Sequence, residues 1–207
     1  MKLFVISNPK NFPQEAQLIN QLFEAGMNCF HLRKPGKNAA EINDLIQHID
    51  PENHPKIALH QHHFLVGKNS IKRLHFTEEI RNKTEGKDLQ QLKQQGFTLS
   101  TSVHQAEMIS EMQQFDYVFL SPVFNSISKA GYAGFANASF TIQKSVKQPE
   151  VIALGGIDAT TIHQLKTMDF DGAAVLGTIW QQPEKAVSNF KTLYEICLKN
   201  SISAFTD

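Results

Sequence analysis

The sequence predicts a (β/α)₈ barrel, and three observations lead to this fold class. Eight short apolar runs typical of β-strands recur along the 207 residues. Amphipathic segments compatible with helices lie between most of these runs, and such alternation implies parallel strand pairing. Eight units in a chain of this length match a compact barrel better than an open doubly wound sheet, which shows the same alternation.

The predicted strands carry β-branched, aromatic and aliphatic residues and are bounded by polar or glycine-containing segments. They are Leu3–Ser7, Cys29–Arg33, Lys56–His60, Arg73–Phe76, Phe97–Ser102, Tyr117–Ser121, Val151–Leu154 and Ala173–Leu176. The predicted helices are Pro13–Ala25, Ala39–Ile49, Lys87–Gln95, His104–Gln113, Ser139–Val146, Ala159–Met168 and Glu184–Lys199.

Two connections differ from a regular unit. Only His62–Ser70 joins the third and fourth strands, which is too short for a crossover helix, so this unit is expected to be degenerate. Asn125–Asn137, after the sixth strand, is rich in Gly, Ser and Ala. A long polar loop on a rigid scaffold is typical of a substrate flap.

Composition favours one domain spanning residues 1–207. Lys plus Arg and Asp plus Glu each number 20, so the formal net charge of zero gives no electrostatic argument for a nucleic-acid or membrane partner. A homo-oligomer remains open. The chain opens on a strand-like run and has no long apolar segment, which predicts a cytoplasmic protein. Cys29 and Cys197 are expected to be reduced thiols.

The stretch Val151–Trp180 predicts an anion-binding cup. Two apolar strands end in Gly155-Gly156 and Gly177-Thr178, and a helix-compatible segment follows the first pair. Glycine leaves backbone N–H groups unobstructed, and a helix start adds a positive dipole end. In barrels of this class a phosphate commonly sits on the loops after strands seven and eight. The alternative is that each glycine pair only makes a tight turn.

Residues at the carboxyl ends of the eight strands are expected to converge on one face, and this rim is rich in histidine. The rim residues are Ser7, Asn8, His31, Arg33, His60, His75, Ser102, His104 and Ser121. A metal site would need several imidazoles to converge, and the spacing contains no recognised ligand pattern such as HExxH. His31 or His104 acting singly as acid or base is favoured over a metal, and an ordinary hydrogen-bonded barrel histidine is the alternative for each.

Arg33, Lys34 and Lys129 are the cations expected to meet a phosphorylated substrate. They follow the second and sixth predicted strands. Arginine offers phosphate oxygens a planar fork and lysine a mobile charge. The alternative for each is an exposed, solvated charge.

Four motifs resemble one family. They are FHLRK at 30–34, STSVHQAE at 100–107, DYVFLSPVFNSISKAG at 116–131, and VIALGGI with GAAVLGTIW within 151–180. Together they resemble the thiamine phosphate synthase and TenI-type thiazole tautomerase superfamily, over nearly the whole chain. The third motif is the most specific, because it is similar to the family's D-Y-x-x-x-G-P-V-F-x-T-x-T-K segment.

The resemblance implies a (β/α)₈ barrel and a set of site residues. Thiazole phosphate would bind the backbone of Gly156, Leu176 and Gly177, aided by the hydroxyls of Ser126 and Ser128. Arg33 and Lys129 match the two cations that, with Mg²⁺, meet the departing diphosphate of a pyrimidine substrate. His31 falls where the synthase has a pyrimidine-contacting Gln, and Ser102 matches an active-site serine.

The chain departs from both branches of this superfamily. The synthase's Asn-Asp pair after the third strand is His60-Gln61, and its second magnesium aspartate falls near Ile80, so Glu78 and Glu79 are the carboxylates left for a shifted metal site. Pro35 replaces a basic residue, with Lys34 or Lys37 as substitutes. The catalytic histidine of the tautomerase follows the sixth strand, where this chain has Ser121-Pro122.

We therefore expect a thiamine-biosynthesis protein that binds thiazole phosphate and works on small phosphorylated substrates. Thiamine phosphate synthesis is the leading reaction, because of Arg33, Lys129 and Ser121-Pro122. The alternatives are thiazole tautomerisation with His31 or His104 as base, and a non-catalytic binder of thiazole or thiamine phosphate.

Overall fold

The computed structural model describes residues 1–125, 134–136, 140–143 and 149–202. Within these segments eight parallel strands close into a barrel in sequence order, with β8 pairing back to β1. The strands are β1 Lys2–Ile6, β2 Phe30–Leu32, β3 Ile57–Leu59, β4 Arg73–Phe76, β5 Thr98–Val103, β6 Tyr117–Leu120, β7 Glu150–Leu154 and β8 Gly172–Val175. The predicted fold class is confirmed, and every predicted strand is present.

Helices cover the outside of the barrel. The α-helices are α1 Glu15–Glu24, α2 Ala39–Gln47, α3 Glu78–Lys83, α4 Gly86–Gln94, α5 Gln164–Thr167, α6 Gly177–Trp180 and α7 Ala186–Ile202. Short 3-10 helices are Pro51–Lys56, His63–Lys68, Ala106–Glu111 and Pro183–Lys185. The unit between β3 and β4 has only the 3-10 helix, as its length predicted.

Three helix predictions need correction. The segment 104–113 forms a 3-10 helix rather than an α-helix. The segment 159–168 is reduced to α5, because the Asp158 carboxylate accepts hydrogen bonds from the backbone of Thr160 and Thr161 and holds a turn there. Residues 140–143 of the predicted segment 139–146 are not helical, and its other residues lie outside the described ones. Helix α3, capped by Thr77, was not predicted.

The core has two layers. One joins the outer faces of the strands to the helices, and the other fills the barrel interior with Phe4, Ile6, Cys29, Ala58, Tyr117, Phe119, Ile152 and Ala174. Alternate residues of a strand face opposite sides. The residues two positions beyond Cys29 and Ala58 are therefore also interior, and these are His31 and His60. The interior thus changes from apolar to polar toward the carboxyl ends of the strands.

The two cysteines lie in different layers and form no disulfide. Cys29 faces the barrel interior, while Cys197 packs on α7 against the outer core. None of the helices in the described part of the chain is long and apolar enough to cross a membrane.

Candidate active site

A cavity of about 700 Å³ opens at the carboxyl ends of the strands. Every strand, or the loop that follows it, contributes to its lining, including Arg33, His60, His75, Glu78, Ser102, His104, Ser121, Gly156, Leu176 and Gly177. A groove of about 940 Å³ on the outer surface involves Phe12, Gln14 and residues around Pro183. We assign the candidate site to the mouth cavity, because polar side chains from many strands converge there.

The glycine turns after β7 and β8 form one wall of this cavity. Gly155 and Gly156 have φ angles of +102° and +66°, in the left-handed region that favours glycine. A Cβ atom at Gly156 would overlap the Asn125 carbonyl oxygen and the Phe124 side chain. Glycine is therefore required at this position both by backbone conformation and by the close approach of the loop after β6.

Side-chain hydrogen bonds hold the two turns in place. The Thr178 hydroxyl donates to the Ile157 carbonyl (2.5 Å), which joins the β8 turn to the β7 turn. The Thr161 hydroxyl donates to the Gly156 carbonyl (3.0 Å), and Asp158 accepts from the Thr160 and Thr161 amides. Because α5 begins only at Gln164, no helix starts directly after Gly156, contrary to prediction. The cup therefore relies on its turns rather than on a helix dipole there.

Arg33 follows β2, which is separated from β8 by β1, and it is exposed to solvent at the mouth. Its backbone is fixed by Ser7 at the end of β1. The Ser7 hydroxyl accepts from the Arg33 amide at 2.8 Å and lies 2.8 Å from the Arg33 carbonyl, to which it donates. The guanidinium is thus carried on a positioned backbone while its side chain stays available to an anion.

Lys34 does not reach the cavity, which corrects its prediction as a phosphate-binding cation. Its side chain is fully buried, and its ammonium donates to Glu15 (2.5 Å) and to the Lys10 carbonyl (3.1 Å). Burial lowers the pKa of Lys34 and raises that of Glu15, while the contact between the two opposes both shifts. Lys37, the other predicted substitute, pairs with Glu41.

Among the described residues, the carboxylates near the mouth belong to no group of three or more side chains that could hold a metal ion. Glu78 lines the cavity, but Glu79 pairs with Lys83 at 2.6 Å on the exposed face of α3. Gln61, where the synthase carries an aspartate, bonds with its side chain to the backbone of Lys34. Mg²⁺ prefers an octahedral set of oxygen ligands. Within the described part of the chain Glu78 is the carboxylate that lines the cavity, and one carboxylate beside imidazoles does not fit this preference.

Three buried histidines lie below the mouth. His31 Nδ1 is 2.9 Å from His60 Nε2, and His31 Nε2 is 2.9 Å from the Tyr117 hydroxyl. His75 lies 3.0 Å from Ser100 Oγ and 3.1 Å from Ser102 Oγ, and its ring stacks on His60. Burial lowers the pKa of all three imidazoles, and it lowers that of His75 to about 3. His31 is thus a neutral residue beneath the cavity, which argues against its predicted role as an acid.

His104 is the exposed histidine of the mouth. Its Nδ1 lies 2.9 Å from the Ser121 carbonyl oxygen, which can only accept, so Nδ1 carries the proton. In the neutral imidazole Nε2 then has a free lone pair. This histidine of the β5 loop is thereby held at the end of β6.

Ser126, Ser128 and Lys129 lie outside the described residues, as does most of the predicted flap Asn125–Asn137. Its described part, residues 134–136, lies beside Pro122 and Val123. The backbone amides of Phe135 and Ala136 donate hydrogen bonds to the carbonyls of these two residues. The roles of these three side chains remain predictions.

Comparison with known proteins agrees with the resemblance seen in the motifs. The model of the family described as thiamine monophosphate synthase matches residues 3–179, a range that contains seven of the eight strands entirely and all of β1 except Lys2.

The chain belongs to this family.

Two curated relatives named thiamine-phosphate synthase are similar to the chain. The Listeria innocua protein is 25% identical over 181 residues, covering 78% of this chain and 80% of the relative. The Lysinibacillus sphaericus protein is 32% identical over 104 residues, and the match spans about half of each, 47% of this chain and 49% of the relative.

Solved structures show the same fold. The thiamine phosphate pyrophosphorylase of Bacteroides thetaiotaomicron is 27% identical, with a TM-score of 0.72 and coverage of 95% of this chain and 98% of the other. The enzyme of that name from Pyrococcus furiosus has a TM-score of 0.76 at 18% identity, with 96% of each chain covered. At 18% identity, the similarity to the Pyrococcus furiosus structure shows a shared fold and nothing more.

Several site features were missed from the sequence. The two hydrogen bonds between the Ser7 hydroxyl and the Arg33 backbone join residues that are distant in the chain, and so does the Glu15–Lys34 ion pair. The histidine cluster does have a signal in the sequence. His31 follows Cys29 by two positions and His60 follows Ala58 by two positions, and the two-residue period of a strand places both imidazoles on the same side as these interior residues.

Proposed function

We propose that this protein joins hydroxymethylpyrimidine diphosphate to thiazole phosphate and releases diphosphate. One observation carries the proposal: the mouth cavity has a glycine-lined wall on one side and the Arg33 guanidinium on another. Two anionic groups have to be held in this reaction, the phosphate that stays and the diphosphate that leaves. Family membership supports the same reaction, because curated relatives are named for it.

The glycine wall is suited to the phosphate of the thiazole. Gly156 and Gly177 have no side chain that could cover their backbone N–H groups, and Leu176 lies between the two turns with its side chain partly buried. The Thr178 hydroxyl keeps the two turns together. Such amides bind an anion without carrying a net charge themselves. We assign Ser126 and Ser128 to the same phosphate on the resemblance of their motif.

Arg33 is assigned to the departing diphosphate. The bond between the pyrimidine methylene carbon and the diphosphate oxygen breaks, and its electron pair leaves with the diphosphate. The thiazole nitrogen then donates its lone pair to that carbon, forming the new C–N bond. A guanidinium placed where the negative charge develops lowers the barrier to the first step. Lys129 is assigned as a second cation by its motif, and Ser102, beside His75, as a further substrate contact.

The same proposal covers the domain organisation, the cellular compartment and the partners of the protein. Residues 1–207 form one catalytic domain that works in the cytoplasm on small phosphorylated substrates, without a nucleic-acid partner, and a homo-oligomer is compatible with it. A dependence on Mg²⁺ would be expected from the family resemblance. The donors at the mouth in the described part of the chain do not fit that ion, and none of the proposed steps depends on it.

The proposal is tested by incubating the protein with both substrates, with and without Mg²⁺, and measuring thiamine phosphate. Arg33→Ala is expected to lower kcat by about 10²–10³-fold, the usual cost of removing one group that stabilises developing charge. Arg33→Lys should retain part of the rate, because it keeps the charge and loses the fork. Absence of product under every metal condition would exclude the synthase reaction.

A second function is favoured by His104. Its tautomer leaves Nε2 free as a base, and its bond to Ser121 holds it at the end of β6, where the resemblance places the catalytic histidine of tautomerases. Proton exchange at the thiazole in the absence of pyrimidine would reveal this activity. If thiazole phosphate raises Tm but neither reaction proceeds, the protein is a binding module.

A further inference from the structure

The three buried histidines come from consecutive strands of the barrel. His31 lies in β2, His60 follows β3 directly, and His75 lies in β4. One nitrogen from each ring lies within 4.8 Å of the others, and all three residues are buried. This convergence is independent of the glycine turns and of Arg33, and the reaction proposed above does not use it.

One atom of this cluster is unsatisfied. Among the described residues, His60 Nδ1 is the buried side-chain nitrogen or oxygen that lacks a hydrogen-bond partner. Leaving such an atom unpaired costs about 1–3 kcal/mol, and buried polar atoms without a protein partner often contact a bound water or ion. His60 Nε2 is bonded to His31, so His60 has one paired and one unpaired nitrogen, and its hydrogen bonds hold it less firmly than those of His31 and His75.

The donor set selects a class of ion. Burial keeps the imidazoles neutral, which is the form that binds a metal. Three nitrogen donors without a carboxylate suit Zn²⁺ and Co²⁺ and do not suit Mg²⁺ or Ca²⁺.

Hydrogen bonds already orient two of the rings from behind. Tyr117 holds His31 Nε2, so His31 Nδ1 faces His60. Ser100 holds His75 Nδ1, which leaves its Nε2 on the side of Ser102 and the cavity. Metal-binding histidines usually have such a partner on the second nitrogen.

The donor spacing is close to that of a metal complex but not identical to it. Zn–N bonds of 2.0–2.1 Å around a tetrahedral ion put donors about 3.3 Å apart. His31 Nδ1 and His60 Nε2 are 2.9 Å apart, and the ion would replace the proton they share. The stacked rings of His60 and His75, with centroids 3.9 Å apart, require one of them to turn about its Cα–Cβ bond.

We propose that His31, His60 and His75 bind one divalent transition-metal ion of the zinc class, with a fourth position open toward Ser102 and the mouth cavity. Three neutral ligands leave the ion's charge uncompensated, and Arg33 lies at the same mouth. An anionic fourth ligand from the cavity, such as hydroxide or a phosphate oxygen, is therefore favoured.

The proposal is tested by titrating the EDTA-dialysed full chain with Zn²⁺ by calorimetry and with Co²⁺ by visible absorption. One ion per chain and the intense absorption of four-coordinate Co²⁺ are expected. His60→Gln and His75→Phe should each abolish stoichiometric binding. Tyr117→Phe keeps the aromatic ring and should weaken binding by about 10–100-fold through loss of the second-nitrogen partner.

His48→Gln is the matched control, because His48 is an exposed histidine on the outer surface. Circular dichroism and thermal unfolding establish that each variant is folded. Failure of the wild-type chain to bind one ion would overturn the proposal, as would binding that survives both His60→Gln and His75→Phe. The imidazoles would then be a neutral hydrogen-bonded network that only packs the barrel.

Discussion

The Nδ1 atom of His104 lies 2.9 Å from the carbonyl oxygen of Ser121. This bond joins the loop after β5 to the end of β6 and fixes the tautomer of an imidazole at the cavity mouth. An imidazole is therefore present beside β6, although the residue that follows Ser121 is a proline. An imidazole on the loop after β5 can thus occupy the place at the end of β6 where a base would be needed for proton transfer.

We predict that His104→Asn separates binding from proton transfer. Asparagine keeps an N–H donor at the position of Nδ1 for the Ser121 carbonyl but has no basic nitrogen. Exchange of the thiazole proton should fall by about 10²–10⁴-fold, the usual contribution of a general base. The affinity for thiazole phosphate should remain within a factor of about three, because the glycine turns are untouched. Exchange measured by NMR at an undiminished rate would exclude His104 as the base.

The glycine wall predicts a position-specific effect of adding one methyl group. Gly156→Ala should abolish binding of thiazole phosphate in calorimetry, because the Cβ atom overlaps Asn125 and Phe124. Gly156→Asp should do the same and adds repulsion of the anion. Gly96→Ala is the control, since Gly96 has φ +83° with no atom within 4 Å of an added Cβ. The control should cost about 1–2 kcal/mol of stability and leave binding intact; normal binding by Gly156→Ala would mean that the phosphate binds elsewhere.

Asp158 predicts a pH dependence of the β7 turn. Burial raises the pKa of Asp158, but hydrogen bonds from Thr160 and Thr161 outweigh this and leave the pKa below its ordinary value of 3.8. A lowered folded-state pKa means that the stabilisation is present above pH 3.8 and is lost as the pH falls through the folded value. Asp158→Asn should remove this acid-dependent part of the unfolding free energy and weaken phosphate binding at neutral pH. Denaturant titrations across this range measure it, and an unchanged pH profile in Asp158→Asn would contradict the assignment.

The buried Glu15–Lys34 pair predicts a strongly non-additive cycle. Lys34→Met leaves the Glu15 carboxylate buried without its partner and should cost about 3–5 kcal/mol. The double variant Glu15→Leu with Lys34→Met should recover most of this loss, because apolar replacement of both partners is often close to neutral. Lys83→Met, which removes an exposed pair with Glu79, should leave the unfolding free energy nearly unchanged, because solvent screens exposed ion pairs. Urea unfolding is measured for the wild type, Glu15→Leu, Lys34→Met, the double variant and the Lys83→Met control. Additive effects of the two buried substitutions would show that the pair is not coupled.

The sequence by itself determined the barrel and much of the mouth. Strands were readable because apolar runs have clear ends, and parallel pairing places those ends on one face. The glycines at 155, 156 and 177, together with Arg33 beside β2, could therefore be assigned to the cavity from their positions in the sequence. The FHLRK and SPVF motifs added the family.

The tertiary structure alone decided which neighbouring residues serve the site. Arg33 and Lys34 are adjacent cations, yet one is exposed at the mouth and the other is buried against Glu15, because successive side chains at the end of a strand point to different sides. In the same way, the pairing of β2, β3 and β4 as neighbours brings His31, His60 and His75 within 4.8 Å of one another. Sequence patterns report local periodicity, whereas these contacts depend on distances between separate strands.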